Sequence, residues 1–161
     1  MKLAVVGLWH LGTVISTGLS SLKKNKIYCF DEERIVKNFR KNKLPIIEKN
    51  IQKIIKKNFK KSIFFLSDFN KLKEFDTVWI TYDTKIGKSD FSDFDNIFLK
   101  FKKIFKHLKK KTLIIISSQL PIGSIKRLEL YDKTKLKKKF RFVYIPENLR
   151  LGKSLEIFLN S

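Results

Sequence analysis

The sequence predicts an α/β protein with a doubly wound, parallel six-stranded sheet and helices on both faces. Three observations predict this fold class: six short apolar runs alternate with stretches of helical periodicity, a glycine turn follows the first run, and an acidic residue ends the second. Nearly continuous apolar runs are typical of strands covered on both faces. Their alternation with helices favours parallel pairing with right-handed crossovers, and the glycine turn after the first strand is typical of a Rossmann-like fold. We expect one such domain over residues 1–161.

The six predicted strands are the apolar runs themselves. In chain order they are Lys2–Gly7, Lys26–Phe30, Ser62–Leu66, Thr77–Tyr82, Thr112–Ser117 and Arg141–Ile145. Between the fourth and fifth runs, apolar residues recur at spacings of three and four, which is typical of one face of an amphipathic helix. These residues are Phe94, Ile97, Phe98, Phe101, Ile104, Phe105 and Leu108. We interpret this phenylalanine-rich stripe as ordinary core rather than as a cofactor-binding element.

The turn after the first strand has the sequence VVGLWHLG, from Val5 to Gly12. In a Gly-x-Gly-x-x-Gly turn, backbone amides at a helix N-terminus contact the pyrophosphate of a dinucleotide. Gly7 and Gly12 stand at the first and third glycine positions, but Trp9 stands at the second. Glycine alone has no side chain that would stand between the backbone and the phosphates. Trp9 is therefore expected to obstruct the phosphates or to force the turn open. The candidate cofactor contacts in this turn are Gly7, Trp9, His10, Leu11 and Gly12.

An acidic residue ends the second predicted strand, where a dinucleotide-binding fold holds the adenosine ribose. Asp31 lies nineteen positions after Gly12, and Arg34 follows near the same edge as a further candidate cofactor contact. The alternative is that Asp31 caps a helix beginning at Glu32, which is a common use of aspartate. Both roles can hold at once, because a cap and a ribose ligand occupy the same corner between strand and helix.

Length, composition and cysteine content limit the class of protein. A chain of 161 residues with 43% hydrophobic content can bury the core of one domain. No apolar stretch approaches the roughly 20 residues of a membrane span, and the first strand leads into a turn rather than a signal-peptide cleavage site. We therefore expect a cytoplasmic protein with no membrane partner. Cys29 is the single cysteine, which excludes an internal disulfide and favours a small buried residue, and the sequence has no cluster typical of a metal site.

The net charge of +21 is large enough to attract nucleic acid or an anionic membrane without further specificity. Only five of the 36 basic residues are arginine, however, whereas the readout of phosphates and bases usually depends on arginine. Lysine, asparagine, isoleucine and phenylalanine are all abundant, as a coding sequence rich in A and T produces whatever the function. The lysine runs therefore favour solvated helix faces and loops, and we expect no specific nucleic-acid partner. A basic nucleic-acid-binding module stays a minor alternative.

Several further short segments follow the turn in order along the chain. They are FDEERI (Phe30–Ile35), LPIIE (Leu44–Glu48), LSDF (Leu66–Phe69), FDTVWITYDT (Phe75–Thr84), SDFSDF (Ser89–Phe94), IIISSQLPIGS (Ile114–Ser124) and IPENLRLG (Ile145–Gly152). Together with the opening MKLAVVGLWHLG, they resemble the N-terminal, NAD-binding domain of the UDP-glucose/GDP-mannose dehydrogenase family over essentially the whole chain. No single segment is diagnostic, but their order and spacing make chance similarity a poor explanation.

The resemblance implies a function and a set of site residues. Enzymes of this family oxidise the C6 alcohol of a nucleotide sugar to a carboxylate and consume two NAD molecules, through an aldehyde-level and a thioester intermediate. The family's cofactor positions match Gly7, Gly12, Asp31, Thr84, Ser117 and Ser118 here. The segment that lies against the sugar matches Glu147, Asn148, Leu149 and Arg150, of which Glu147 matches the glutamate that acts with the catalytic water. The alternative for Ser117 and Ser118 is an ordinary turn into the next helix, with serine as its cap.

Departures from the family pattern concentrate at these same places. Besides Trp9, Lys85 stands in place of a proline, Asn148 in place of a phenylalanine and Leu151 in place of a second acid. The family's nucleophilic cysteine belongs to later segments that these 161 residues lack, and Cys29, on a predicted buried strand, is not expected to replace it. The resemblance therefore implies a missing C-terminal domain or a partner chain that supplies it, and it leaves the oligomeric state open.

Three functions from different classes are consistent with these patterns. The one we favour is the NAD-binding half of a nucleotide-sugar 6-dehydrogenase. The second is a degenerate domain that keeps the fold and binds a nucleotide, a nucleotide sugar or a protein partner without catalysis, which Trp9 and Leu151 favour. The third is the nucleic-acid-binding module, which only the charge favours.

Overall fold

The structure is a computed structural model that describes residues 2–22, 24–82, 94–146, 149 and 152–160. Its strands are β1 (Lys2–Val6), β2 (Lys26–Phe30), β3 (Ile63–Leu66), β4 (Thr77–Ile80), β5 (Leu113–Ile116) and β6 (Arg141–Tyr144). Its helices are α1 (His10–Ser21), α2 (Glu33–Arg40), α3 (Ile51–Asn58), α4 (Phe94–His107), α5 (Ser124–Tyr131) and α6 (Ser154–Asn160), with a short 3-10 helix at Phe69–Glu74 and a π-helical turn at Asp132–Leu136. All six predicted strands are present, and five of them are one or two residues shorter than predicted because pairing stops where the chain turns into loops.

The strands form one parallel sheet in the order β3-β2-β1-β4-β5-β6. This confirms the predicted doubly wound arrangement. From β3 at one edge, the chain returns to add β4 beside β1, on the side opposite β2. The direction of winding therefore reverses at β1, and open α/β sheets bind their ligands outside the carboxyl ends of the strands at such a point.

Helices cover both faces of the sheet, so that successive residues of β1 enter different cores. Val6 belongs to a cluster with α4, α5 and the 3-10 helix, whereas Val5 belongs to a cluster with α1, α2, α3 and α6. The apolar stripe predicted on α4 is ordinary core, as expected. Its buried members are Ile97, Phe101, Ile104, Phe105 and Leu108, and Phe98 packs partly buried beside them.

Helix α6 packs directly against α1. A Cβ built on Gly18 of α1 would lie 2.5 Å from Cδ1 of Phe158 in α6, so the missing side chain lets the two helices approach closely. This contact joins the last described helix to the first one.

None of the helices in the described part of the chain combines the length and the apolar composition that crossing a membrane requires.

Candidate functional site

A cleft of about 1180 Å³ opens where the carboxyl ends of β1, β2 and β4 meet. Its lining comes from the turn after β1, the segment from the end of β2 to Pro45, the end of β4, and one side of α4. Small-molecule sites typically occupy about 300–1,000 Å³, so this cleft has room for an extended ligand such as a dinucleotide. Of the predicted site residues, Gly7, Trp9, Asp31 and Arg34 line it.

Close packing, rather than a ligand, fixes the two glycines of the turn. Gly7 has φ +103°, and a Cβ built there would lie 3.0 Å from the backbone nitrogen of Tyr82. A Cβ on Gly12 would lie 1.8 Å from the carbonyl oxygen of Gly7 and 2.6 Å from Oγ1 of Thr81. The Thr81 hydroxyl donates a hydrogen bond to that same carbonyl oxygen at 2.7 Å. Helix α1 can lie this close to the ends of β1 and β4 because position 12 has no side chain.

Trp9 lies between the two glycines under no such constraint. Its φ of −89° is open to any residue, and it directly precedes α1. Its carbonyl oxygen accepts a hydrogen bond from the Thr13 amide at 3.0 Å, as the first bond of the helix. Trp9 lines the cleft, and 54% of the residue's surface is exposed. Trp9 is therefore at the cleft and is not buried in the core.

Asp31 joins the turn after β1 to the start of α2. Its Oδ2 accepts a hydrogen bond from the Leu8 amide at 2.6 Å, and its Oδ1 accepts one from the Glu32 amide at 2.8 Å. The helix itself begins at Glu33, one residue later than predicted. Burial raises the pKa of Asp31 above its ordinary value, and the two amides partly oppose that rise. Each carboxylate oxygen can accept more than one hydrogen bond, so Asp31 keeps acceptor capacity for ligand hydroxyls.

Five cationic residues line the same cleft. They are Arg34, Lys43, Lys100, Lys103 and Lys106. The Nζ atom of Lys100 lies 5.0 Å from the centre of the Tyr82 ring. Burial raises the pKa of the Tyr82 hydroxyl, and the charges of Asp31 and Glu32 raise it further. Tyr82 therefore keeps its proton and offers a neutral ring to Lys100.

Tyr82 and the lysines of α4 also line the cleft, and no sequence motif marks them. Lys100, Lys103 and Lys106 recur at intervals of three residues beside the apolar stripe, and that periodicity places them on one side of the helix. The hydrogen bond from Leu8 to Asp31 has no signal in the sequence, because it depends on how two loops meet at the sheet edge.

Ser117 and Ser118 follow β5 and are both buried. Ser117 Oγ accepts a hydrogen bond from Nε1 of Trp79 at 2.9 Å, whereas Ser118 Oγ has no hydrogen-bond partner among the residues that the structure describes. Buried hydroxyls usually have a partner, so Ser118 holds unused hydrogen-bonding capacity. Neither serine caps the next helix, because α5 begins at Ser124 directly after Gly123. In the described part of the cleft, neither serine belongs to the lining.

The side chains of His10, Leu11 and Leu149 lie on the α1 side of the sheet. His10 Nε2 lies 3.1 Å from Oε1 of Glu48 and 2.9 Å from Oγ of Ser154. Leu11 is buried in the cluster beneath α1, and Leu149 packs partly buried against the same cluster. Their roles towards a cofactor or a sugar stay predictions.

Several predicted residues lie outside the described part of the chain. They are Thr84, Lys85, Glu147, Asn148, Arg150 and Leu151, together with most of the SDFSDF segment. Their predicted roles stay predictions.

Cys29 is fully buried in β2. Burial raises the pKa of its thiol to about 12, although a hydrogen bond with Ser16 acts in the opposite direction. A thiol in this setting is not a nucleophile, since nucleophilic attack needs an accessible thiolate. The described residues also contain no group of three or more histidine, cysteine, aspartate or glutamate side chains that could hold a metal ion.

Many families of dinucleotide-binding proteins share this fold and a cleft at this place, so the fold alone does not identify the family. The model of the UDP-glucose/GDP-mannose dehydrogenase family, NAD binding domain, matches residues 1–161. The chain belongs to this family. It is an NAD-binding domain of the nucleotide-sugar dehydrogenase type, and the resemblance found in the sequence motifs is confirmed.

Relatives in this family are considerably longer than the chain. The UDP-glucose 6-dehydrogenase of Rickettsia prowazekii is 27% identical over 162 residues, which cover 99% of this chain and 37% of the relative. The enzyme of the same name from Rickettsia bellii is 30% identical over 162 residues, with the same coverage of 99% and 37%. The chain thus spans little more than a third of the length of these relatives.

Solved structures of the family share the fold. The GDP-mannose dehydrogenase of Pseudomonas aeruginosa, solved as a ternary complex, matches with a TM-score of 0.86 at 20% identity over 98% of this chain and 38% of that one. The UDP-glucose dehydrogenase of Pyrobaculum islandicum matches with a TM-score of 0.82 at 20% identity, over 98% of this chain and 38% of that one. At this identity the likeness establishes the fold alone.

Proposed function

We propose that this chain is the cofactor-binding part of an enzyme that oxidises the C6 alcohol of a nucleotide sugar to a carboxylate. Four electrons leave the sugar in that change, and two NAD molecules, each accepting one hydride, would take them. Family membership supports this reaction class, as do relatives named UDP-glucose 6-dehydrogenase. The nucleophilic cysteine would come from outside these 161 residues, because Cys29 is buried and holds its proton.

The observation that carries the proposal is the joined pair of elements at the cleft, the packed Gly7–Gly12 turn and the carboxylate of Asp31. In this proposal Asp31 accepts hydrogen bonds from the adenosine ribose, and amides at the start of α1 face the pyrophosphate. Arg34 and the lysines of the cleft offset the phosphate charge.

The remaining roles follow from the family match. Thr84, Ser117 and Ser118 would line the nicotinamide side. Asn148, Leu149 and Arg150 would contact the sugar, and Glu147 would act with the catalytic water. Ser118 suits such a place because its buried hydroxyl finds no hydrogen-bond partner within the described ranges of the chain.

Trp9 should weaken NAD binding in this proposal. Trp9 lines the cleft at the position where the pattern has glycine, so its side chain would compete with the phosphates for the same space. We expect Trp9→Gly to bind NAD about tenfold to hundredfold more tightly than the wild type, as one or two recovered hydrogen bonds to a charged group would give. Calorimetric titration with NAD measures the difference.

Two further variants make the titration specific. Trp9→Ala removes the indole but keeps a Cβ, so it separates obstruction by the ring from the need for a bare backbone. Leu22→Gly, at the far end of α1 and 50% exposed, is the matched exchange of an exposed apolar residue for glycine and should leave NAD affinity unchanged. Tight NAD binding by the wild type, with no gain in Trp9→Gly, would contradict the obstruction.

The exposed indole also favours a second candidate function, a non-catalytic domain that binds a different nucleotide or a protein partner. If none of the Trp9 variants binds NAD at millimolar concentration while ADP or a UDP-sugar titrates the same cleft, the second candidate replaces the first.

A further inference from the structure

A buried polar cluster joins three distant segments behind the turn after β1. Its centre is the Glu48 side chain, which is 1% exposed. Oε1 of Glu48 accepts a hydrogen bond from the Gly152 amide at 3.1 Å, and Oε2 accepts one from the Leu155 amide at 3.4 Å. His10 Nε2 lies 3.1 Å from Oε1 and 2.9 Å from Oγ of Ser154. We call Glu48, His10, Gly152, Ser154 and Leu155 the Glu48 cluster.

The hydrogen-bonding capacity of the carboxylate matches its surroundings. An ionised carboxylate accepts about four hydrogen bonds through its two oxygens. Glu48 faces four donors: the Gly152 and Leu155 amides, the Ser154 hydroxyl and His10 Nε2–H. The cluster is not a serine–histidine–acid relay, because the acid and the serine share one ring nitrogen of His10 instead of using both.

Each segment in the cluster continues directly into a functional region. His10 begins α1 and follows Trp9, which lines the cleft. Glu48 follows the cleft residues Leu44 and Pro45 by a few positions. The Gly152 end of the cluster directly follows the segment proposed to contact the sugar. The cluster is therefore a physical link between the cofactor cleft and the start of α6.

We propose that Glu48 is a positioning residue that couples occupancy of the cofactor cleft to the placement of residues 152–155. A dinucleotide held against Trp9, Leu44 and Pro45 restrains both segments that hold the cluster, so that releasing the start of α6 becomes harder. The coupling rests on the proposed function, whereas the positioning of α6 by Glu48 does not.

Amide hydrogen exchange along α6 tests the positioning in the free protein. Glu48→Gln keeps the side-chain size but replaces one carboxylate oxygen, a hydrogen-bond acceptor, with an NH2 group. That group is itself a donor, so it cannot accept a hydrogen bond from the amides around it. We expect the Leu155 amide and its neighbours in α6 to exchange on the order of tenfold faster than in the wild type, as the loss of a hydrogen bond to a charged group implies. Glu129→Gln, an exposed glutamate on α5, is the matched control and should exchange like the wild type.

Saturating NAD tests the coupling. In the wild type, NAD should slow exchange at the start of α6, and in Glu48→Gln this slowing should disappear even though NAD still binds by calorimetry. His10→Leu removes one of the four donors and leaves the carboxylate in place, so it should give an intermediate loss and serves as the second variant if Glu48→Gln does not fold.

The pH profile separates a charged link from simple packing. Burial alone would raise the pKa of Glu48, but hydrogen bonds from Ser154, His10, Gly152 and Leu155 lower it below its ordinary 4.5. A carboxylate whose pKa is lower in the folded state stabilises the fold fully at pH values above its pKa in the unfolded state. It loses that effect as the pH falls through its pKa in the folded state. Protection of α6, corrected for intrinsic exchange, should therefore fall below about pH 4.5 in the wild type and not in Glu48→Gln. His10 is a second ionisable side chain at the same carboxylate, and His10→Leu replaces it with one that carries no charge.

The outcomes are distinct. Equal α6 exchange in wild type and Glu48→Gln overturns the positioning role. Faster exchange in Glu48→Gln with the NAD-dependent slowing intact overturns the coupling. If no variant binds NAD, the proposed cofactor function fails and the coupling fails with it, while the exchange rates of the free protein still decide the positioning.

Discussion

Gly12 and Trp9 stand three residues apart in one turn, yet the molecule constrains them very differently. A Cβ at position 12 would lie 1.8 Å from the Gly7 carbonyl oxygen, a distance that no rotation of a side chain can relieve. At position 9 the backbone has an ordinary φ of −89°, and the side chain is 54% exposed. Helix α1 begins at His10 with tryptophan, the largest side chain, at position 9 and with no side chain at position 12.

The difference separates two demands that the Gly-x-Gly-x-x-Gly pattern combines. Its first glycine allows the tight turn and its third allows the close contact of helix and strand, while the second serves the approach of phosphate to backbone. Preserved Gly7 and Gly12 therefore report on the fold, and Trp9 reports on the ligand. A chain can lose the second glycine and keep its sheet, which is the situation here.

Gly12→Ala should have the largest effect on stability. The new methyl group meets backbone and the Thr81 hydroxyl, so α1 must move away from the ends of β1 and β4. Overpacking of this kind usually costs about 1–3 kcal/mol, and contact with backbone puts this site at roughly 3 kcal/mol or more. Chemical denaturation followed by far-UV circular dichroism measures the loss. A loss below about 1 kcal/mol in the free energy of unfolding would mean that the turn relaxes easily. Positions 9 and 12 would then differ only in how strongly they resist a side chain.

Gly7→Ala should be the next largest, at about 2 kcal/mol. Its φ of +103° disfavours any side chain, and its Cβ would also press on Tyr82 at 3.0 Å. Gly123→Ala is the matched control, because Gly123 has φ +84° and, its two chain neighbours aside, none of the described residues comes within 4 Å of the added methyl group. Backbone strain alone should cost the control about 1 kcal/mol. Equal losses for the two variants would show that the contact between Gly7 and β4 contributes nothing.

Most of the fold could be predicted from the sequence, because it depends on local patterns. The apolar runs predicted six strands and their parallel pairing, and the spacing of three and four on α4 predicted a helix face that is buried. The strand ends were less predictable. Pairing stops at Val6 and Ile80, although the apolar character continues through Gly7 and Tyr82, because there the chain turns towards the cleft.

The site was predictable only where a motif marks it. Gly7, Trp9, Asp31 and Arg34 line the cleft, and each was visible from its position after a strand. The Glu48 cluster was not visible, since Glu48 and Ser154 are separated by more than one hundred residues and meet only through the packing of α6 on α1. Long-range polar contacts of this kind carry no periodicity that a single sequence could reveal.

Trp9→Ala should have the smallest effect on stability, within about 0.5 kcal/mol of the wild type, as for exposed residues without a special contact. The bond from the Thr13 amide to the Trp9 carbonyl involves backbone atoms alone, and the substitution keeps it. The same denaturation experiment checks the value, and the variant's NAD affinity then reports on the cleft without a change in folding. A loss above about 2 kcal/mol would show that the indole supports the turn, so that position 9 would serve the fold as Gly12 does and the separation of the two demands would be wrong.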